Sequence, residues 1–210
     1  MQKDLIRTLV ASEVLHSERI IRAFEAIDRA DFVPEELKAY AYRDEPLFIG
    51  AGQTISQPYT VAFMLEELEP KEGDTVFEIG FGSGWQTCLL AHIVGPKGRV
   101  VAYERVMSLY RLGRANIKKY QQYTDGVVEL HHGDAQKVSA GSFHKIIAAA
   151  SFLTGDPPKA WEQMLVSGGR MVLPVRNSIY VYTKNEDGSF AIVEHPGFAF
   201  VPLLEGEIKE

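Results

Sequence analysis

Three glycines at alternate positions, Gly80, Gly82 and Gly84, follow directly on the run Val76-Phe77-Glu78-Ile79 and lead into Trp85-Gln86-Thr87-Cys88-Leu89-Leu90. A second apolar run, Val100-Val101-Ala102-Tyr103, ends in Glu104. Apolar run, glycine loop and apolar helix spell strand, turn and helix, and the acid after the second run stands where an open parallel sheet contacts a ribose. Charge then selects the ligand. Dinucleotide-binding loops space their glycines G-x-G-x-x-G so that a pyrophosphate rests on the helix N-terminus. Here the spacing is G-x-G-x-G, bulky Trp85 comes next, and Glu78 stands just ahead of the loop. A carboxylate at that place repels an anion and attracts an ammonium. A nucleoside that carries an amino acid and no phosphate satisfies both acids, and that nucleoside is S-adenosyl-L-methionine. The competing reading is a glycine turn of purely structural use, against which the two acids in register weigh.

These residues need a sheet to hold them. Strands are expected over 75–79, 99–103, 127–131, 145–150 and 170–175, with helices over 85–94, 108–123 and 159–165. An antiparallel pair over 179–184 and 190–194 turns at Asp187-Gly188. Residues 3–29 carry apolar positions at helical spacing and read as one or two helices. A short helix headed by Pro34 and another over 60–68 follow. The segment 44–58 is long, glycine-bearing and aperiodic, so it reads as a functional loop. Such alternation predicts an α/β fold: a mostly parallel, doubly wound sheet with antiparallel C-terminal strands and N-terminal helices, the Rossmann-like architecture of class I methyltransferases. One domain over 1–210 is expected, with helices and loop in 1–70 and the core in 71–210. Asp134, after Gly133, closes the third strand, where it either receives the adenine amino group or caps a turn.

Composition narrows the function classes. The chain has 210 residues, 46% hydrophobic and 24% charged, as in an ordinary globular protein. A net charge of −6 argues against a general grip on nucleic acid. Trp85, Trp161 and the tyrosines read as core or rim. The one cysteine, Cys88, excludes an internal disulfide framework, and neither a secretion signal nor a membrane-spanning run is evident, so a cytoplasmic chain is expected. His131-His132 invites a metal reading, but neighbours in a strand point to opposite faces. No metal is expected.

From about Phe24 to Leu204 the chain resembles the protein-L-isoaspartate O-methyltransferase family. The likeness rests on Asp31-Phe32-Val33-Pro34, Ala41-Tyr42 with Pro46-Leu47, Gly52-Gln53-Thr54-Ile55-Ser56, the glycine loop, Gly133-Asp134, Ala148-Ala149-Ala150, Gly168-Gly169-Arg170 with Leu173-Pro174-Val175, and Phe200-Val201-Pro202-Leu203. It implies methyl transfer from S-adenosyl-L-methionine to the α-carboxylate of isoaspartyl residues in damaged peptides and proteins, the first step of their repair. It also implies an active-site serine at Ser56. Thr54 and Ile55 would contact cofactor and acceptor, and Gln53, Glu78, Gly80, Gly82, Ser83, Gly84, Glu104, Gly133, Asp134 and Ala148 the cofactor. Val201, Pro202 and Leu203 would wall the peptide site, with neither nucleic acid nor membrane as partner and a monomer as the working form.

Four positions depart from the family pattern. Ser151 stands for a proline, about four extra residues precede Pro158, Arg176 replaces a glycine, and His144 an aspartate. The first two leave room for a specialised peptide or small-molecule acceptor. A non-catalytic S-adenosyl-L-methionine-binding protein is the remaining alternative, which retention of Ser56 in its full loop disfavours. Ser56 itself is either the acceptor-side hydroxyl or a turn hydroxyl before Pro58.

Overall fold

The computed structural model describes residues 1–152 and 157–203. Helices α1 (Gln2–Ala11) and α2 (Glu18–Ala26) open the chain, followed by two turns of 3-10 helix. A hairpin of β1 (Leu47–Gly50) and β2 (Gln53–Ile55) comes next, then α3 (Pro58–Leu68). The core then alternates through β3 (Thr75–Ile79), α4 (Trp85–Val94), β4 (Arg99–Glu104), α5 (Met107–Ile117), α6 (Gln121–Thr124), β5 (Val128–His132) and β6 (Phe143–Ala148). It ends with α7 (Lys159–Met164), β7 (Leu165–Val175), β8 (Ser178–Lys184) and β9 (Phe190–Pro196).

The main sheet runs β5-β4-β3-β6-β7-β8-β9. The β4–β5, β3–β4, β3–β6 and β6–β7 pairs are parallel, while β7–β8 and β8–β9 are antiparallel. Chain order reverses at β3, which has β4 on one side and β6 on the other, so the crevice beyond its carboxyl end is where such sheets bind ligands. Strand β3 is buried from Val76 to Ile79 because both faces are covered. One face packs against α4 and the N-terminal helices, with Trp85 meeting Phe24 edge-on at 5.5 Å. The other face buries Phe77 against Phe143 and Trp161.

Several expectations are revised. The segment 44–58 contains the β1–β2 hairpin, not an unstructured loop. Its strands are too short for a period-2 signal: Leu47 and Ile49 turn inward while Phe48 is 71% exposed. Gly50-Ala51-Gly52 all take positive φ to make the turn. The strand expected at 145–150 spans Phe143–Ala148, which leaves Ala149 and Ala150 beyond the sheet. The helix expected over 108–123 breaks at Lys118 into a 3-10 turn and the short α6. Strand β7 begins at Leu165 and takes in Gly168-Gly169. His144 accepts the Thr75 N–H through Nδ1 at 3.0 Å, a tie at the amino end of the sheet. Most of the extra stretch before Pro158 lies outside the described residues, as does Leu204. Among the described residues no helix is long and apolar enough to cross a membrane.

Candidate functional site

The glycine loop is the floor of the site. Gly80, Gly82 and Gly84 have φ of +76°, +50° and +87°, a backbone that side-chain-bearing residues resist. Gly80 and Phe81 both donate their N–H to the Tyr103 carbonyl, at 2.8 and 3.2 Å, which moors the loop to the end of β4. Helix α5 presses on it from outside: a Cβ on Gly113 would come within 2.5 Å of the Gly82 carbonyl, and one on Gly84 within 2.7 Å of Ile117.

Two buried carboxylates stand along the loop. Glu104 accepts the Gly82 N–H at Oε2 (2.9 Å) and the Val106 N–H at Oε1 (2.8 Å). Burial pushes its carboxyl above the ordinary range, against these backbone bonds. A third backbone bond, from Arg105, falls on the same carboxylate, which leaves about one of its four lone-pair sites for a ligand hydroxyl. Glu78 is fully buried; Oε1 accepts Gln86 Nε2 at 3.1 Å, and Oε2 has no hydrogen-bond partner. Burial pushes this carboxyl up to about 7. An orphaned buried carboxylate oxygen is costly unless a cationic donor reaches it.

The cleft over the loop has two connected parts. The inner part holds Glu78 with Thr54, Ile55, Ser56, Ser83, Trp85 and Gln86. The outer part holds Gln53, Glu104, Gly133, Asp134, Ala150 and Val201 to Leu203. Thr54, Gly80, Gly82 and Ala149 line both. A groove then opens between the hairpin and the segment after β9, lined by Phe48, Gln57, Thr60, Phe200 and Val201. Ser56 lies where inner cleft and groove meet, since it lines both. Its carbonyl accepts Arg29 Nη2 at 3.1 Å.

Most of the expected positions line the cleft or the groove. Asp134 caps the 3-10 turn through the Gln136 N–H (3.0 Å), meets Arg105 at 3.1 Å and also lines the cleft, so capping does not withdraw it from the site. Val201, Pro202 and Leu203 were expected along the peptide; all three line the outer cleft, and Val201 alone also reaches the groove. Ser151 holds them there, giving its N–H to the Val201 carbonyl (2.9 Å) and receiving the Leu203 N–H (2.8 Å). Ala148 is sealed in the sheet core, and the cleft wall is made by Ala149 and Ala150, which the strand ends one residue too soon to bury. Gly84 packs on α5 outside the cleft. Tyr103, Arg105, Val106, Leu109 and Gln136 also line the outer cleft; only their nearness to Glu104 and Asp134 signalled them in sequence. His131 stacks on Tyr103 at 4.6 Å, and His132 Nε2 lies 3.0 Å from the Arg105 carbonyl. Among the described residues no three metal-ligating side chains gather.

The family described as protein-L-isoaspartate(D-aspartate) O-methyltransferase matches residues 1–208. The chain is 37% identical over 212 residues to the protein-L-isoaspartate O-methyltransferase of Methanopyrus kandleri, covering 98% of this chain and 92% of that one. It is 38% identical over 215 residues to that of Pectobacterium carotovorum, covering 99% and 100%. A crystal structure of a Plasmodium falciparum chain assigned to this class, solved with S-adenosyl-L-homocysteine, superposes with a TM-score of 0.86 at 23% identity, over 98% of this chain and 99% of that one. At that identity the superposition speaks for the fold.

Proposed function

The chain belongs to the protein-L-isoaspartate (D-aspartate) O-methyltransferase family, and we propose from that premise how its own residues carry the reaction. It is an S-adenosyl-L-methionine-dependent enzyme that methylates the α-carboxylate of isoaspartyl residues in proteins and peptides, opening their repair. The cofactor supplies an electrophilic methyl on a sulfonium, which departs as a neutral thioether.

The cleft suits that cofactor end to end. Glu78, through its orphaned Oε2, receives the ammonium of the methionine moiety. Gly80 and Gly82 would let the backbone close on the methionine arm, and Glu104, which lines the outer cleft, would accept a ribose hydroxyl. Asp134, Gly133 and the Val201–Leu203 segment enclose the adenine. Thr54 and Ile55 form the wall beside the methyl, with Ser83 at its foot. On the acceptor side Ser56 donates its hydroxyl to the attacking carboxylate and fixes the angle of approach. A carboxylate is ionised at neutral pH and needs no general base. Alignment and exclusion of water then supply most of the barrier reduction. The acceptor chain lies along the groove between Phe48 and Val201, where it is held by contacts that tolerate many sequences.

The observation that carries this reading is Ser56 at the junction of a carboxylate-bearing cofactor cleft and an open groove. Twin peptides differing only in an isoaspartyl or aspartyl linkage test it. The isoaspartyl peptide is expected to be methylated at least about a hundredfold faster, because a displacement near 1 Å has that effect on an aligned reaction. Equal rates on the twins would overturn it. We further read the enzyme as a single-domain, cytoplasmic monomer without nucleic-acid or membrane partners; the net charge of −6 supports the absence of a nucleic-acid partner, and the single cysteine a reducing compartment.

A further inference from the structure

Arg29 is 1% exposed, yet no carboxylate lies within ion-pair distance of it among the described residues. Its guanidinium is given over to main-chain carbonyls. Nη1 donates to the carbonyls of Ala41 (2.7 Å) and Arg43 (3.4 Å), and Nη2 to those of Glu45 (3.0 Å) and Ser56 (3.1 Å). Glu45 precedes strand β1 and Ser56 follows β2, so one nitrogen closes the base of the hairpin. The guanidinium also lies 5.3 Å from the ring of Trp85, which lines the inner cleft. Burial lowers its pKa to about 10, which leaves it protonated at neutral pH.

The residue is itself held on both sides. Asp28 caps the turn that Arg29 begins, accepting the Ala30 N–H at 2.9 Å, and Tyr42 donates to the Asp28 carboxylate at 2.9 and 3.0 Å. Tyr120 accepts the Asp28 N–H and donates to Asp31, at 2.9 and 2.8 Å. A buried cation held by carbonyls, with the Asp44 and Glu45 charges acting on it only from beyond ion-pair distance, is an expensive device for joining two chain segments, which an apolar contact could join at lower cost. A planar fork adds direction, since its donors fix the carbonyls they meet in angle as well as distance.

We propose that Arg29 is the positioning residue of the acceptor site: by gripping the Glu45 and Ser56 carbonyls together it sets the Ser56 peptide, and with it the direction of the Ser56 hydroxyl. This rests on Ser56 being the hydroxyl that meets the acceptor. A lysine at position 29 keeps the charge but loses the fork, so it cannot hold both carbonyls at set angles.

A double-mutant cycle on the full chain separates positioning from general support of the fold. Arg29→Lys, Ser56→Ala and the double variant are compared by kcat/KM on an isoaspartyl peptide and by Kd for S-adenosyl-L-homocysteine. Arg29→Lys is expected to lower kcat/KM about tenfold in the parent and less than about twofold in the Ser56→Ala background, with Kd unchanged in both. Equal losses in the two backgrounds, or no loss in either, overturn the inference while leaving Ser56 in place. A Ser56→Ala variant with full kcat/KM instead overturns the reading beneath it. If Arg29→Lys does not fold, Arg29→Gln takes its place in the cycle. Failure of both to bind cofactor stoichiometrically also overturns the proposal, since the clamp would then serve folding alone.

Discussion

At the scale of single residues, Ser56, Glu104 and Glu78 are set apart by what already occupies them. Ser56 has its carbonyl engaged and lines both cleft and groove. Ser56→Ala is therefore expected to lower kcat/KM by about ten- to a hundredfold, the worth of one hydrogen bond to a charged group, at unchanged cofactor affinity by calorimetry. Glu104 also holds the loop through the Gly82 and Val106 N–H groups, a second duty that no sequence pattern revealed. Glu104→Ala is expected to weaken S-adenosyl-L-homocysteine about ten- to a hundredfold and also to lower the melting temperature, since the backbone N–H groups of Gly82, Arg105 and Val106 lose their acceptor. Glu78 introduces a pH dependence. Burial raises its carboxyl from 4.5 to about 7, so the free chain favours the protonated form and loses stability as pH rises from 4.5 through 7. An ammonium in the cleft favours the ionised form, so binding releases a proton below about 7 and affinity rises with pH across that range. Calorimetry in buffers of different ionisation enthalpy reads the proton; Glu78→Gln should flatten the profile.

At the scale of elements, legibility followed length and periodicity. Strands β3 and β4 and helix α4 were plain because long apolar runs bounded by glycines leave one interpretation. The hairpin was not, because its strands of four and three residues bury only alternate side chains on one face. The contribution of α5 to the site was equally hidden. Gly113 looks like a tolerated flaw in a helix, where alanine is favoured by roughly 1 kcal/mol. Packing dictates the opposite sign, since a Cβ there meets the Gly82 carbonyl at 2.5 Å. Gly113→Ala is expected to destabilise the protein in urea and to weaken cofactor binding together; a more stable variant with intact binding would show that the helix and loop do not press on each other.

At the scale of the whole molecule, ligand and fold are coupled by mass action. Saturation with S-adenosyl-L-homocysteine at a hundred times Kd should add about 2.7 kcal/mol and raise the melting temperature by roughly 5–10 °C. Scanning calorimetry checks this, and Glu104→Ala at the same ligand concentration should show a much smaller rise. The parallel sheet and the two carboxylates of the cleft were legible because they follow one another in the chain; the groove was less so, because its walls lie far apart in it. Those walls are the hairpin with the start of α3 on one side and residues 199–201 on the other, with Ala149 the one lining residue from the core. The parallel strands and their glycine loop form the floor of the cleft proposed for the cofactor, while the pieces that border the groove come before and after them in the chain and close the cleft as well. In evolutionary terms the flanking pieces are free to diverge only where they face the groove alone, as at Phe48 and Phe200, while Thr54 and Val201, which line cleft and groove together, tie any change of acceptor to the methyl donor.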